Sequence, residues 1–186
     1  MLGRSAICAA VAFACSALPL QAKMTETAGT GIAIAMPLVA GGITLLKHDR
    51  VGTAQLFVTT ALTVGTAYGL KQLIRECRPF AEPCSKGGGN WNSMPSDTTA
   101  LAAAPAEFLR ERYGWEYGIP AYAATAFVGW SRVDAQKHHW YDVAASAGIS
   151  LLYNELITTR YTKRYGFTSD LQAQPNGLFA SASYRF

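Results

Sequence analysis

The stretch SRVDAQKHHWYD, residues 131–142, decides how this chain is read. It sets His138 four residues before Asp142, with five residues separating it from Arg132. A spacing of four puts His138 and Asp142 on one helical face, where the carboxylate can orient the imidazole. An imidazole held in that way is a competent nucleophile toward phosphorus. Upstream, residues 71–79 read KQLIRECRP and add two more cations, Lys71 and Arg78. Two arginines and a lysine converging on one point would bind a phosphate dianion, because guanidinium groups fork onto its oxygens. Between the two stretches lies SMPSDTTA, residues 93–100. Pro95-Ser96-Asp97 is an ordinary helix start, with Ser96 as N-cap and Asp97 in the first turn. Such a start also offers backbone N–H donors to an anion.

The bulk composition fits a helical membrane setting. Half of the 186 residues are hydrophobic and 15% are charged, against roughly a quarter charged in average soluble domains. The net charge of +4 is mild, and no basic stripe interleaved with aromatics accompanies it, so no nucleic-acid partner is expected. Residues 1–22 read as a secretory signal. Arg4 supplies the positive start, AICAAVAFACSALPL the apolar stretch and LQA a small-residue cleavage site. An uncleaved first membrane helix is the other reading of the same residues. Export removes Cys8 and Cys15 and leaves Cys77 and Cys84 as a close pair, either disulfide-bonded or as two thiols.

Along the chain, residues 28–46 and 51–70 are uncharged runs, each long enough to span a bilayer. The charged joint KHDR separates them. A polar loop over 76–95, containing KGGGN, precedes a helix over 95–112 that runs past Pro105. RERYGWE turns the chain, 117–130 is apolar, and a further helix covers 139–159. The fold expected is all-α, a bundle of five to six helices after the signal. The tail differs. In QPNGLFASASYRF a Pro-Asn-Gly turn precedes strict alternation, with Leu178, Ala180, Ala182, Tyr184 and Phe186 on one face, the pattern of half a terminal β-hairpin.

If all five helical segments after the signal cross a membrane, KHDR, RERYG and TRYTKR fall on the cytoplasmic side, and the three polar stretches of the first paragraph fall outside. A periplasmic helical domain docked on the membrane is the alternative. Trp115, Trp130, Trp140 and Tyr141 are then either interfacial aromatics or core residues, and His48 is a solvated turn residue.

The two polar stretches carry a resemblance. Lys, six residues, Arg-Pro in KQLIRECRP, and Ser-Arg, five residues, His, three residues, Asp in SRVDAQKHHWYD, resemble the type 2 phosphatidic acid phosphatase (PAP2) superfamily over about residues 54–159. KHHWYDV looks especially like the lipid phosphate phosphatases of that family. The resemblance implies that Lys71, Arg78 and Arg132 hold phosphate oxygens and that Ser96 adds a hydroxyl donor. It implies that His138 attacks phosphorus to form a phosphohistidine, which water hydrolyses, and that Asp142 orients His138. No metal or other cofactor is implied, because the cations supply the charge stabilisation. By spacing alone His138, His139 and Asp142 resemble zinc ligands, but no third ligand cluster accompanies them.

The middle motif departs from the family's Pro-Ser-Gly-His. Asp97 stands for the glycine and Thr98 for the histidine that protonates the leaving alkoxide. A hydroxyl is too weak an acid for that task, and general-acid assistance is typically worth about 10²–10⁴ in rate. Asp97 also puts a carboxylate at the positive end of a helix dipole, where phosphate should sit. Asp97 or His139 are candidate substitute acids, although nearby cations hold an aspartate ionised. A substrate with a good leaving group, such as a diphosphate, needs little protonation.

The organisation expected is a signal over 1–22, a PAP2-like helical phosphatase domain over 23–162 and a tail over 163–186. The function expected is hydrolysis of a lipid phosphate or diphosphate at an outward-facing site. The protein would be exported and held in or on the inner membrane, with that site on the periplasmic side. The alternative is a catalytically weakened member that binds anionic headgroups without efficient turnover.

Overall fold

A short chain of caps and polar stripes explains where each helix begins and which face it buries. The computed structural model describes residues 3–81, 84, 90–161, 167–174 and 177–184, with side-chain surroundings for 23–80, 84 and 90–161. KGGGN up to Gly89 lies outside the described residues. Five helices follow one another: α1 (Gly3–Leu46), α2 (Arg50–Ile74), α3 (Asp97–Tyr113), α4 (Trp115–Asp134) and α5 (Trp140–Ile157). A single 3-10 turn, Pro79–Ala81, interrupts the loop after α2. The all-α expectation holds. Helix α1 passes without a break through the signal boundary read at residue 22.

The joints are fixed locally. Asp49 caps α2 by accepting from the Gly52 N–H at 2.9 Å, the ordinary role of an N-cap carboxylate. His48 is exposed in that turn, as its sequence context leads one to expect. Ser96 caps α3, and Gly114, with φ of +93°, closes α3 and opens α4. That backbone conformation favours glycine, which is why RERYG ends one helix and starts the next.

Helix α3 is the centre of the bundle and packs on each of the other four. It buries Ala100, Ala102, Ala103, Ala104 and Ala106 beside Phe108 and Leu109, and the small side chains let neighbouring backbones come close. Helices α2 and α5 are inverted relative to soluble amphipathic helices. Helix α5 buries Asp142, Ser146, Ser150 and Asn154, spaced by four, and exposes Leu151, Leu152 and Leu156. Helix α2 buries Thr59, Thr63, Ala67 and Lys71 and exposes Phe57, Val58 and Leu62. Two of the inward polar groups on α5 bond across to α3 and the residue that caps it. Asn154 donates to the Ala104 carbonyl at 3.1 Å and Ser146 to the Ser96 carbonyl at 2.9 Å. Small and polar residues inside with large apolar residues outside is the arrangement of helices packed in lipid. Residues Lys23–Leu46 form a segment long and apolar enough to cross a membrane. Trp115, Trp130, Trp140 and Tyr141 are all exposed, which decides the sequence alternative in favour of surface aromatics.

At the end of the bundle where α1 meets α2, Asp49 and Arg112 form a buried ion pair. Arg112 Nε lies 2.6 Å from Oδ2 and Nη2 2.5 Å from Oδ1, and Tyr113 donates to Oδ2 at 2.8 Å. Burial pushes the Asp49 carboxyl up, but the hydrogen bonds from Arg112, the Gly52 N–H and Tyr113 outweigh it and hold the group below its ordinary value of 3.8. A lowered folded value contributes stability that is complete above the ordinary value and lost as pH falls through the lowered one. Asp49→Asn is therefore expected to destabilise the detergent-solubilised chain at pH 7, by on the order of 3 kcal/mol. Thermal unfolding of both proteins down the pH scale should show the gap between them closing below about pH 4. A gap that stays constant into acid would contradict the role given to this pair.

The tail forms the hairpin read from sequence. Strand β1 (Phe167–Gln174) pairs antiparallel with β2 (Gly177–Tyr184), from Phe167 opposite Tyr184 to Gln174 opposite Gly177.

Candidate active site

The two polar stretches and the capping stretch meet at one end of the bundle, because α2 and α4 end there while α3 and α5 begin there. Arg132 sits in the last turn of α4. The chain then turns through Gln136, at φ +56°, and the N–H groups of Lys137 and His138 both donate to the Arg132 carbonyl, at 3.0 and 3.3 Å. His138 is thereby placed before α5 rather than on it, which corrects the reading that it shares a helical face with Asp142. The proximity survives by another route. Asp142, in the first turn of α5, places Oδ2 3.5 Å from His138 Nδ1.

The closer partner of His138 is a residue the sequence reading did not use. The Ser93 carbonyl lies 2.8 Å from His138 Nδ1. A carbonyl only accepts, so Nδ1 carries a hydrogen, and in the neutral imidazole this tautomer puts the lone pair on Nε2. The Ser93 hydroxyl donates to Asp142 Oδ2 at 2.5 Å, and the His139 N–H donates to the same oxygen at 2.8 Å. His138 is 5% exposed and Asp142 fully buried. One serine thus holds the histidine by its carbonyl and the acid by its hydroxyl. Ser93 opens the stretch SMPSDTTA, and the N-cap logic that explains Ser96 says nothing about a residue three places earlier.

The residues expected to hold phosphate all have protein partners. Lys71, buried at the end of the α2 stripe, forms an ion pair with Asp97 Oδ2. The second oxygen of Asp97, Oδ1, is buried without a hydrogen-bond partner. Ser96 Oγ accepts from the Thr99 N–H at 3.4 Å and the Thr99 hydroxyl at 3.0 Å, which leaves its own hydrogen for donation. Arg132 reaches across to α1, where its Nη2 donates to the Glu26 carbonyl, and its guanidinium also contacts Ser131 Oγ at 3.2 Å. This approach is close. A Cβ added at Gly29 would lie 2.0 Å from Ser131 Oγ, so only glycine lets α1 lie against α4 here. Arg78 donates to Asn92 Oδ1 at 2.9 Å. The loop carrying it is pinned by backbone bonds from Arg78 to Asn90 and from Ser93 to Glu76, and by a Cys77–Cys84 disulfide.

Of the two candidate substitute acids, Asp97 is committed to Lys71. His139 stacks on Tyr141 at 4.7 Å and lies 3.5 Å from the same Asp142 oxygen that His138 approaches. Among the described residues, Glu76, His139 and Asp142 each bring one possible metal-ligand atom within 4.8 Å of the others, a nitrogen–oxygen donor set. Asp142 Oδ2 already accepts from Ser93 and His139 in that arrangement.

Residues 52–165 match the sequence model described as PAP2 superfamily. The lipid A 4'-phosphatase of Helicobacter pylori (strain J99 / ATCC 700824) is 32% identical over 133 residues, which cover 68% of this chain and 66% of that protein. The chain thus spans about two thirds of that relative's length. The crystal structure of Aquifex aeolicus LpxE superposes with a TM-score of 0.50 at 16% identity, covering 73% of this chain and 91% of that one, a likeness of fold. The PAP2-type phosphatidylglycerolphosphate phosphatase from Bacillus subtilis gives a TM-score of 0.41 at 21% identity, over 76% and 83%.

Proposed function

This chain belongs to the PAP2 superfamily, and from that premise we propose that it hydrolyses a lipid phosphate or lipid diphosphate through a phosphohistidine on His138. The observation that carries the reading is the clamp on that histidine, with the Nδ1–H spent on the Ser93 carbonyl at 2.8 Å. The lone pair left on Nε2 attacks phosphorus as the bond to the leaving oxygen breaks. Arg78, Arg132, Lys71 and Ser96 take the non-bridging oxygens, with Lys71 exchanging Asp97 for phosphate. Water then cleaves the phosphorus–nitrogen bond and His138 returns to its neutral form. Asp142 stabilises the positive charge that develops on the imidazole.

The relative named lipid A 4'-phosphatase supports a phosphate borne on a lipid. Thr98 narrows the class, because a leaving group must depart without the acid that the family's histidine supplies. Diphosphates meet that requirement best. The inward polar stripes, the exposed leucines and the segment Lys23–Leu46 support a membrane setting. KHDR, RERYG and the start of the third basic joint, residues 159–161, belong to the end away from His138, which supports export and a periplasmic site by the positive-inside rule. One observation favours the second reading, binding without turnover: Asp97 already occupies Lys71.

Ser93→Ala tests the clamp. It removes the hydroxyl from Asp142 and leaves the carbonyl at His138. A hydrogen bond to a charged group is worth about 1.5–3 kcal/mol, so kcat should fall about ten- to a hundredfold with little change in KM and a shifted pH profile. An unchanged kcat and pH profile would remove Ser93 from the positioning role. Phosphate release from phosphatidate, farnesyl diphosphate and lipid A by the purified chain tests the reading as a whole. Release from none of them would favour the binding-only alternative.

A further inference from the structure

The three basic joints converge on a cleft at the end of the bundle remote from His138. The turn after α1, the last turn of α3 and the segment after α5 enclose about 530 Å³, lined by His48, Arg50, Arg112, Thr159, Arg160 and Tyr161 among others. Asp49 is its acidic lining residue, and both of its oxygens are taken by Arg112. Three arginines against one aspartate leave a formal +2 with His48 neutral. That excess resides on Arg50 and Arg160, both exposed, and among the described residues neither is paired with an acidic side chain. The Lys47 ammonium lies 6.0 Å from the ring of Tyr161, one of the lining residues.

The rim is apolar. Leu45, Leu46 and Val51 are 67%, 83% and 59% exposed, and the first two end the segment able to cross a membrane. The 17 residues of α3, which run from the His138 end to Arg112, span about 26 Å, close to the roughly 30 Å of a bilayer's hydrocarbon core. With the catalytic end at one interface, the basic cleft stands at the other. A cationic cleft bordered by exposed leucines at that depth matches a phosphate headgroup with its acyl chains lying along the helices.

We propose that this cleft is a second anion site, one that holds the phosphate of an anionic phospholipid in the leaflet opposite the catalytic end. Arg50 and Arg160 fork onto the headgroup oxygens, and Arg112, fixed by Asp49, forms the floor. The lipid held here is a resident and not the substrate. The inference goes beyond the phosphatase reading and shares only its membrane setting.

The test uses the full chain purified in a neutral detergent and incubated with equal amounts of phosphatidylglycerol and phosphatidylcholine. Retained lipid is counted by native mass spectrometry. The wild type should keep phosphatidylglycerol in preference to phosphatidylcholine by about ten- to thirtyfold, from two basic residues each near 1 kcal/mol, and less so as salt rises. Arg50→Gln with Arg160→Gln should bring the ratio close to one, while Arg50→Lys with Arg160→Lys should keep part of it. An equal Tm in phosphatidylcholine alone establishes that the glutamine variant is folded. An unchanged ratio in a folded glutamine variant would overturn the proposal. So would displacement of the lipid by millimolar inorganic phosphate, which would make the cleft a site for a soluble anion. Phosphate release is read separately, so failure here leaves the role of His138 untouched.

Discussion

Asp97→Gly together with Thr98→His is expected to raise phosphate release from a lipid monophosphate by about 10²–10⁴, the usual worth of a positioned general acid. Release from a diphosphate should rise far less, because its leaving group needs little protonation. The two changes act on different parameters. Asp97 is ion-paired with Lys71, so its removal frees a buried cation for the substrate and should show mainly as a lower KM. Thr98 stands in the first turn of α3, and a histidine there supplies a proton in the transition state and should show as a higher kcat. Glycine in that first turn gives up a favourable charge at the helix start, at a cost of about 0.5–1 kcal/mol. Kinetics of the two single variants and the double variant on phosphatidate and farnesyl diphosphate separate these contributions. Equal gains on both substrates would contradict the leaving-group explanation, and no gain on either would remove Thr98 as the defect.

His138→Ala is expected to have the largest effect of any single change, reducing release from every substrate to that of a blank without protein. The substitution takes away the only atom proposed to bond to phosphorus. It also leaves the Ser93 carbonyl without its donor, so the fold needs a separate check by thermal unfolding. His138→Gln is the gentler companion, since its amide N–H can still reach that carbonyl. If both variants fold and both are inactive, the loss belongs to the missing nucleophile.

The helices, their caps and the hairpin were legible because each rests on local chemistry. Ser96 and Gly114 mark their own boundaries, and Pro175-Asn176-Gly177 announces a turn before the alternation begins. The residues placed at one end were legible too, because ordered spacing survives folding: Lys71, Arg78, Ser96, Arg132, His138 and Asp142 come to the same end of the bundle. What the sequence did not disclose is how they are paired. Ser93 and Asp142 are 49 positions apart, and no periodicity links them. Glu26 meets Arg132 through a backbone carbonyl, an acceptor every residue carries. The helical-face argument for His138 and Asp142 failed because the turn at Gln136 delays the start of α5 until after His138. Asp49 and Arg112 read as two unrelated members of basic joints until the bundle set them 2.5 Å apart.

The most direct measurement is phosphate release from farnesyl diphosphate by the purified full chain, beside His138→Ala prepared in the same way, with acid-labile phosphohistidine sought by mass spectrometry during turnover. The expected result is release by the wild type alone, with the phosphoryl group on His138. Equal release from the two proteins, or a wild type that turns over with the phosphoryl group on another residue, would contradict the assignment of His138 as the nucleophile.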